Sequence, residues 1–217
     1  MRTNGSFEFP AHIVDPTDSE PTSEPNETTT TPQGHDRRCS LLAVDAYPIG
    51  RGGRRGAQKK RFAGQMKDLS QLNSELGLAG GYQNHSGKNY IGGSIWDFWM
   101  MIKDLDPATI GFSFDIGQAM VEGSLSWPTQ VRLTRDRWVA LQVKDFNWVK
   151  TSKNQWKPQW CPLGKGRLQK AFFKEIKSNP VDGPIIQHCE HIRPGGPIDA
   201  IVAGLTDDFQ ALKKWLS

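Results

Sequence analysis

Four polar clusters, each directly after a short apolar run, hold most of the side chains in this sequence that could do chemistry. The clusters are residues 82–85 (YQNH), 114–115 (FD), 142–145 (QVKD) and 188–191 (HCEH). Apolar runs that end in polar residues and are separated by helical stretches are typical of parallel strands whose C-terminal ends line one shared site. The sequence therefore predicts one site built from the ends of four strands.

Several side chains in these clusters suit proton transfer or carbonyl polarisation. His85 can titrate near neutral pH, and Lys144 could polarise a carbonyl or bind a sugar phosphate, with Asp145 to orient it. By the period-two alternation of a strand, His188 lies on the same face as Glu190. Two structural alternatives stay open: His85 as a cap of the following loop, and Lys144 with Asp145 as a local ion pair.

Tryptophans are concentrated on the predicted loops, where two of them could bind a sugar. Trp148 and Trp156 lie on the loops expected above the strand ends, and an indole face can stack on the C–H surface of a sugar ring. Trp96 and Trp99 have helical spacing and are interpreted as core residues. The segment 162–166 (PLGKG) is either a tight turn or a place where backbone amides approach a phosphate or carboxylate.

Hydrophobic periodicity predicts the elements that position these residues. Helices are predicted at 58–76, 96–105, 129–137, 168–176 and 199–215, and strands at 78–84, 110–116, 138–143 and 185–189. Gly77 is the predicted cap of the first helix. Strands about 30 residues apart that alternate with helices imply an α/β fold with a parallel sheet.

The N-terminal quarter of the chain has a different composition. Residues 15–34 are rich in Pro, Ser, Thr, Glu and Asn, which predicts disorder. Residues 51–61 hold six basic side chains, which could bind a nucleic acid or another polyanion. Because no aromatic residue among them would stack on a base, we favour a solvated linker that runs into a basic first helical turn. We predict a low-complexity head and linker over 1–57 and a barrel domain over 58–217.

Composition favours a cytoplasmic protein without membrane or nucleic-acid partners. No apolar stretch approaches the roughly 18 residues that a membrane span needs, and the first residues lack the layout of a secretory signal. Three cysteines without CxxC spacing favour reduced thiols.

Five motifs, read in chain order, resemble the sugar phosphate isomerase/epimerase family of xylose isomerase-like TIM barrels. They are YQNHSG (82–87), FDIGQ (114–118), LQVKDFNW (141–148), PLGKG (162–166) and QHCEH (187–191). The resemblance implies the fifth to eighth strands of a partial (β/α)₈ TIM-type barrel, about four βα units, behind a disordered N-terminal segment. Such a half-barrel leaves open sheet edges, so we expect self-association through them.

The resemblance also implies a metal site with altered ligands. Family members hold a divalent metal with Glu, Asp, His and Glu, at positions that correspond here to Gln83, Asp115, Gln142 and Glu190. Two of the ligands are therefore amides, which can bind a hard cation but bring no charge. We expect a weakly held divalent metal, with Mg²⁺, Mn²⁺ or Ca²⁺ favoured over Zn²⁺. Gln83 cannot transfer protons, because an amide does not titrate in the useful range.

Substrate contacts are expected at two further positions of the motifs. Asn84 and Gln118 join Asp145, Trp148 and Trp156 as expected sugar-binding residues, and Gln118 stands where the family has the His of Asp-x-x-His.

Together the motifs predict a sugar (phosphate) isomerase or epimerase that moves a proton next to a carbonyl of a small-molecule carbohydrate. Glu190, His188, His85 and Lys144 are the expected catalytic residues. The alternative, motivated by the amide replacements, is a catalytically inactive carbohydrate-binding or truncated barrel fragment. DNA-repair endonuclease chemistry needs a multi-metal site rich in His, and five His in the chain make it the weakest hypothesis.

Overall fold

The computed structural model describes residues 55–87, 90–168, 170–178 and 180–217. The predicted disordered segment 15–34 and most of the predicted head lie outside these ranges. Among the described residues, no helix is both long and apolar enough to cross a membrane.

Helices and strands alternate along most of the described chain. The helices are α1 (Arg55–Leu76), α2 (Ile95–Ile102), α3 (Ile116–Gly123), α4 (Trp127–Thr134), α5 (Lys170–Ser178) and α6 (Ile198–Leu216). The strands are β1 (Gly80–Gln83), β2 (Ile110–Asp115), β3 (Trp138–Val143), β4 (Asp145–Lys150), β5 (Trp156–Cys161) and β6 (Ile185–Gln187). Short 3₁₀ turns at Ser124–Ser126 and Arg135–Arg137 precede and follow α4.

Four of the strands form one parallel sheet in the order β1-β2-β3-β6. Gln83 is in register with Ser113, and Asp115 with Gln142, so the C-terminal strand ends meet at one edge. Among the described residues β1 and β6 are the outer strands of this sheet. The predicted α/β fold with a parallel sheet is confirmed.

The two faces of the sheet differ in chemistry, because side chains alternate along each strand. The face that packs on the helices is apolar and carries buried Tyr82, Phe112, Phe114, Leu141 and Val143. Tyr82 stacks on Phe98 of α2 with ring centroids 4.1 Å apart. The opposite face is polar and carries Gln83, Ser113, Asp115, Gln142 and, just past β3, Lys144. The sheet thus uses one face for packing and leaves the other for a site.

The helix α1 ends at Leu76 and is capped by Gly77, as predicted. Gly77 has a φ of 65°, in the left-handed region that glycine adopts without strain. Leu78 N donates to Asn73 O at 2.8 Å, and Gly77 N donates to Ser74 O at 3.3 Å. These two bonds are those of a Schellman cap, which turns the chain directly into β1.

Four features of the fold differ from the prediction. Trp96, interpreted as a core residue from its helical spacing, is 49% exposed on α2. The pattern predicts no helix at 116–123, yet α3 begins directly after β2, because Asp115 accepts a bond from Gln118 N and caps it. The segment 129–137 is predicted as one helix but is the end of α4 followed by a 3₁₀ turn. The segment 145–161 is an antiparallel hairpin of β4 and β5, so Trp148 and Trp156 lie on strands rather than on loops.

Candidate active site

A buried lysine lies at the centre of the polar strand ends. The Lys144 side chain is 2% exposed, and its Nζ lies 3.0 Å from Asp115 Oδ2 and 2.7 Å from Glu190 Oε1. His188 completes the group: its Nδ1 lies 3.4 Å from Lys144 Nζ and its Nε2 lies 3.2 Å from Glu190 Oε1. The ends of β2, β3 and β6 therefore bring together four of the predicted site residues. His188 and Glu190, expected on one face of a strand, meet instead in the turn after β6, which ends at Gln187.

The carboxylate of Asp115 is fully enclosed by hydrogen-bond donors. Its Oδ1 accepts from Gln118 N at 2.9 Å and its Oδ2 from Gln83 Nε2 at 2.9 Å, besides the contact with Lys144. Burial by itself raises the pKa of Asp115, but interactions with His188 and Lys144 and the bond from Gln118 N outweigh it. The pKa of Asp115 is therefore below its ordinary value, and the group is an anion at neutral pH.

Glu190 and His188 are the members of this group that reach solvent. Both side chains are 34% exposed, whereas Asp115 is fully buried. They lie in a tight turn after β6, in which Glu190 N donates to His188 O at 3.1 Å. A ligand arriving from solvent would therefore meet Glu190 and His188 first.

Asn84, Gln118 and His85, predicted to bind substrate or to act in catalysis, form hydrogen bonds with neighbouring residues of the protein. Asn84 exchanges two bonds with the backbone of Asp115, at 3.0 and 2.8 Å, and so ties β1 to β2. Gln118 accepts from Ser86 N and Oγ through its Oε1, while its buried Nε2 has no partner among the described residues. His85 Nδ1 lies 2.8 Å from Ser86 O, a contact that fits the loop-capping alternative. Their predicted roles stay predictions.

Asp145 makes no ion pair with its neighbour Lys144, so that alternative is wrong. The strand alternation turns the two side chains to opposite sides, and Asp145 instead accepts from four backbone amides. The donors are Phe146 N (2.8 Å), Gly164 N (3.0 Å), Gly166 N (2.9 Å) and Leu168 N (2.8 Å). The amides of the 162–166 segment thus bind a carboxylate, as one interpretation allowed, but the carboxylate belongs to the protein.

The β4–β5 hairpin presents an aromatic face beside the site. Phe146 pairs with Trp160, Trp148 with Pro158, and Lys150 with Trp156, so these side chains share one face. Exposure rises outward along this face, from Phe146 at 2% to Trp148 at 36% and Trp156 at 64%.

Trp160 connects this face to the charged group and is a site residue that sequence reasoning missed. Lys144 Nζ lies 4.3 Å from the centre of the Trp160 ring, within the range of a cation–π contact. The available signal was the alternation of Phe146 with Trp148 and the spacing of Trp156 from Trp160, which together indicate a hairpin with one aromatic face.

A second buried polar cluster anchors helix α6 below the site. Asp208 of α6 accepts from Leu163 N at 2.9 Å, and its Oδ2 lies 3.3 Å from Cys189 Sγ and 3.6 Å from His191 Nδ1. Burial and the Asp208 charge raise the pKa of the Cys189 thiol to about 12. The Cys189 thiol is therefore neutral at physiological pH.

The predicted metal ligands are not arranged as a metal site. Gln142 Nε2 donates to Ser113 Oγ at 2.8 Å, Gln83 directs its amide NH₂ at Asp115, and Glu190 contacts Lys144. Within the described ranges, no group of three or more His, Cys, Asp or Glu side chains could hold a metal ion. The donor set does not fit a divalent cation, because its two carboxylates already face an ammonium and its two amides turn their NH₂ groups to Asp115 and Ser113.

Solved structures with this fold include sugar epimerases. The chain superposes on a D-tagatose 3-epimerase-like protein with a TM-score of 0.62 and 16% identity, over 82% of this chain and 61% of that one. For the 3-keto-D-glucoside 4-epimerase YcjR from E. coli, the TM-score is 0.54 at 15% identity, with coverages of 79% and 63%. A xylose isomerase-like TIM barrel protein from Mycobacterium smegmatis, in complex with magnesium, gives 0.54 at 13%, with coverages of 81% and 55%. This chain spans less than two thirds of each.

The family assignment rests on the sequence itself. No curated protein sequence matches the chain. Residues 36–215 match the family of xylose isomerase-like TIM barrels. The match begins upstream of residue 58, and the domain boundary predicted there stays a prediction. With parallel strands, helices on one face and polar strand ends on the other, this chain belongs to the xylose isomerase-like TIM barrel family.

Proposed function

We propose that this protein is a sugar isomerase or epimerase that transfers a proton on the carbon next to a carbonyl. The observation that carries the proposal is the contact of a half-exposed Glu190 with both Lys144 and His188 at the C-terminal strand ends. In barrels of this class the reacting groups lie at that end of the strands. The superposition on sugar epimerases supports a carbohydrate as the substrate class.

In the proposed reaction Glu190 takes the proton from the carbon next to the substrate carbonyl. The electron pair of the broken C–H bond moves to the carbonyl oxygen and gives an enolate, whose negative charge the Lys144 ammonium is placed to stabilise. Delivery of a proton to the opposite face of the same carbon inverts its configuration. Protonation of the former carbonyl carbon, with transfer of the hydroxyl proton between the two neighbouring oxygens, converts ketose to aldose. His188 Nε2, 3.2 Å from Glu190 Oε1, orients the carboxylate and is the second group that can carry a proton.

The aromatic hairpin face gives this site a place to bind the sugar. Trp148 and Trp156 are exposed, and both lie on the face that begins at Trp160 beside Lys144. Aromatic faces bury large apolar area at low entropic cost, which suits the C–H surface of a pyranose or furanose ring. We propose this face as the sugar platform.

The test is exchange of substrate hydrogen with deuterated water, followed by NMR. Wild-type protein is incubated with ketohexoses, aldohexoses, their phosphates and 3-keto-D-glucosides, and loss of the proton next to the carbonyl is measured. Glu190→Gln should reduce the exchange rate at least about 100-fold, because general acid–base catalysis contributes about 100- to 10,000-fold. Glu175→Gln is the control: it removes a carboxylate of α5 that is paired with Arg135, and the exchange rate should stay unchanged. Exchange that persists in Glu190→Gln at the wild-type rate contradicts the proposal.

A second candidate is a carbohydrate-binding protein without turnover. The replacement of two expected ligands by Gln83 and Gln142 favours it, since neither amide transfers protons. The same sugars would then raise the melting temperature of wild-type protein and quench the fluorescence of exposed Trp148 and Trp156, with no hydrogen exchange in any of them. Exchange with even one sugar rules this candidate out.

A further inference from the structure

We infer that the Lys144 ammonium is the resident cation of this site and takes the place of the divalent metal that the family resemblance implies. The inference goes beyond the proposed function, because it holds whether or not the protein turns over a sugar. It rests on the contacts of Lys144, on the hydrogen-bond donors that surround Asp115, and on the space made for the lysine stem.

The ammonium lies against four groups. It donates to Asp115 Oδ2 at 3.0 Å and to Glu190 Oε1 at 2.7 Å, and His188 Nδ1 lies 3.4 Å away. The Trp160 ring lies 4.3 Å away on a further side. One positive charge thus faces two carboxylates and an aromatic ring, surroundings that a cation requires.

The carboxylate that would hold a metal is already occupied by donors. Asp115 Oδ2 accepts from Gln83 and Lys144, and Oδ1 accepts from Gln118 N. A divalent ion at Asp115 would have to displace the Lys144 ammonium or lie against it, and two cations in contact within a buried site repel strongly. The amide NH₂ of Gln142 donates to Ser113 Oγ at 2.8 Å, so this side chain is engaged with the protein as well.

The lysine stem lies in a space built for it. A Cβ at Gly117 would stand 2.7 Å from Lys144 Cγ and 2.8 Å from Lys144 O, so only glycine leaves room there. Lys144 follows directly on the central strand β3, is 2% exposed, and its charge is held against the wholly buried Asp115. A buried lysine that is fixed at its stem and paired at its head is a permanent part of the site rather than a mobile surface side chain.

The experiment measures metal binding and thermal stability, not activity. Wild-type protein is dialysed against Mn²⁺, Mg²⁺ or Ca²⁺ and then metal-free buffer, its metal content is measured by mass spectrometry, and its melting temperature is recorded with each ion and with EDTA. We expect less than stoichiometric metal and a melting temperature that neither the ions nor EDTA change. Lys144→Met should melt at a lower temperature, because two carboxylates lose their counter-charge, and millimolar Mn²⁺ should raise it again by binding the folded state.

Two control variants separate charge from shape. Lys144→Arg keeps the charge and should remain insensitive to Mn²⁺, and Lys174→Met removes an exposed lysine of α5 and should behave as wild type. One metal ion retained per wild-type chain, or a wild-type melting temperature that falls in EDTA, overturns the inference even if Lys144→Met does not fold. A folded Lys144→Met that Mn²⁺ does not stabilise overturns it as well. Absence of hydrogen exchange in wild-type protein contradicts only the proposed function.

Discussion

Asp115 and Asp145 are both buried carboxylates at the boundary of a strand, yet their partners are of different kinds. Asp115 faces a lysine and a half-exposed histidine that lie beside Glu190. Asp145 faces backbone amides alone, those of Phe146 and of the 164–168 segment, which it holds in shape. Burial and charge are therefore no guide to function by themselves. Asp115 contacts the buried Lys144 and the partly exposed His188 and so lies in the proposed site, whereas Asp145, bound by backbone amides, is a structural anchor.

The largest expected effect is the loss of stability when Asp145 is removed. Asp145→Ala leaves four amide donors without an acceptor, and each buried unsatisfied donor costs about 1–3 kcal/mol. Because part of the 162–168 loop can relax into water, we expect the free energy of unfolding to fall by about 3–5 kcal/mol. Urea unfolding measures this change, with Asp207→Ala, an exposed aspartate of α6, as the matched control. A loss no greater than that of the control would mean that the loop does not depend on Asp145.

A smaller loss is expected when only the charge of Asp115 is removed. Asp115→Asn keeps an oxygen that can accept from Gln118 N, since asparagine is a good helix N-cap, and Lys144 keeps its contact with Glu190. We expect a loss of about 2–4 kcal/mol, because removing one partner of a buried pair leaves the other charge partly uncompensated. Asp106→Asn is the control, because Asp106 accepts a hydrogen bond from the backbone amide of Ala108 in an exposed turn.

The pH dependence of that loss tests its electrostatic origin. The pKa of Asp115 is lower in the folded protein than its ordinary value of 3.8. Its stabilisation is therefore complete above the ordinary value and is lost as the pH falls through the lowered folded value. The difference in stability between wild type and Asp115→Asn should be the same at neutral and weakly acid pH and should vanish in strong acid. A difference that persists in strong acid would point to packing instead of charge.

The sequence predicts the location of the site better than it predicts its contacts. The ends of apolar strand runs are readable from local pattern, so Asp115 and Glu190 could be placed at one edge of the sheet. The contact of Lys144 with Glu190 could not be predicted, because the two residues lie 46 positions apart and only the strand order brings them together. Neighbouring Lys144 and Asp145 resemble a local ion pair, but strand alternation separates them.

Two elements escaped prediction for local reasons. Helix α3 contains Gly117 and Gly123, which lower helix propensity. A signal for the helix was nevertheless present: Asp115 is followed three residues later by Gln118, a spacing that resembles a capping box. The hairpin β4–β5 contains Pro158 and several exposed polar residues, which argue against a strand. Its aromatic alternation becomes clear only when both strands are paired.

The smallest expected effect concerns the reach of the Asp145 charge. The Cys161 thiol has its pKa raised to about 11, first by burial and then by Asp145 and Asp208. Asp145→Asn removes one of those negative charges, so the pKa of Cys161 should fall part of the way toward its ordinary value of 9.0. The rate of alkylation by iodoacetamide as a function of pH, assigned to each cysteine by mass spectrometry, measures the pKa.

Cys189 is the internal control for this titration. Its pKa is raised by burial and by Asp208, without a contribution from Asp145, so it should stay near about 12 in the variant. Equal shifts at both thiols would show that Asp145→Asn loosens the structure around them rather than removing a charge. A shift at Cys161 alone shows that Asp145 acts on the neighbouring thiol through its charge.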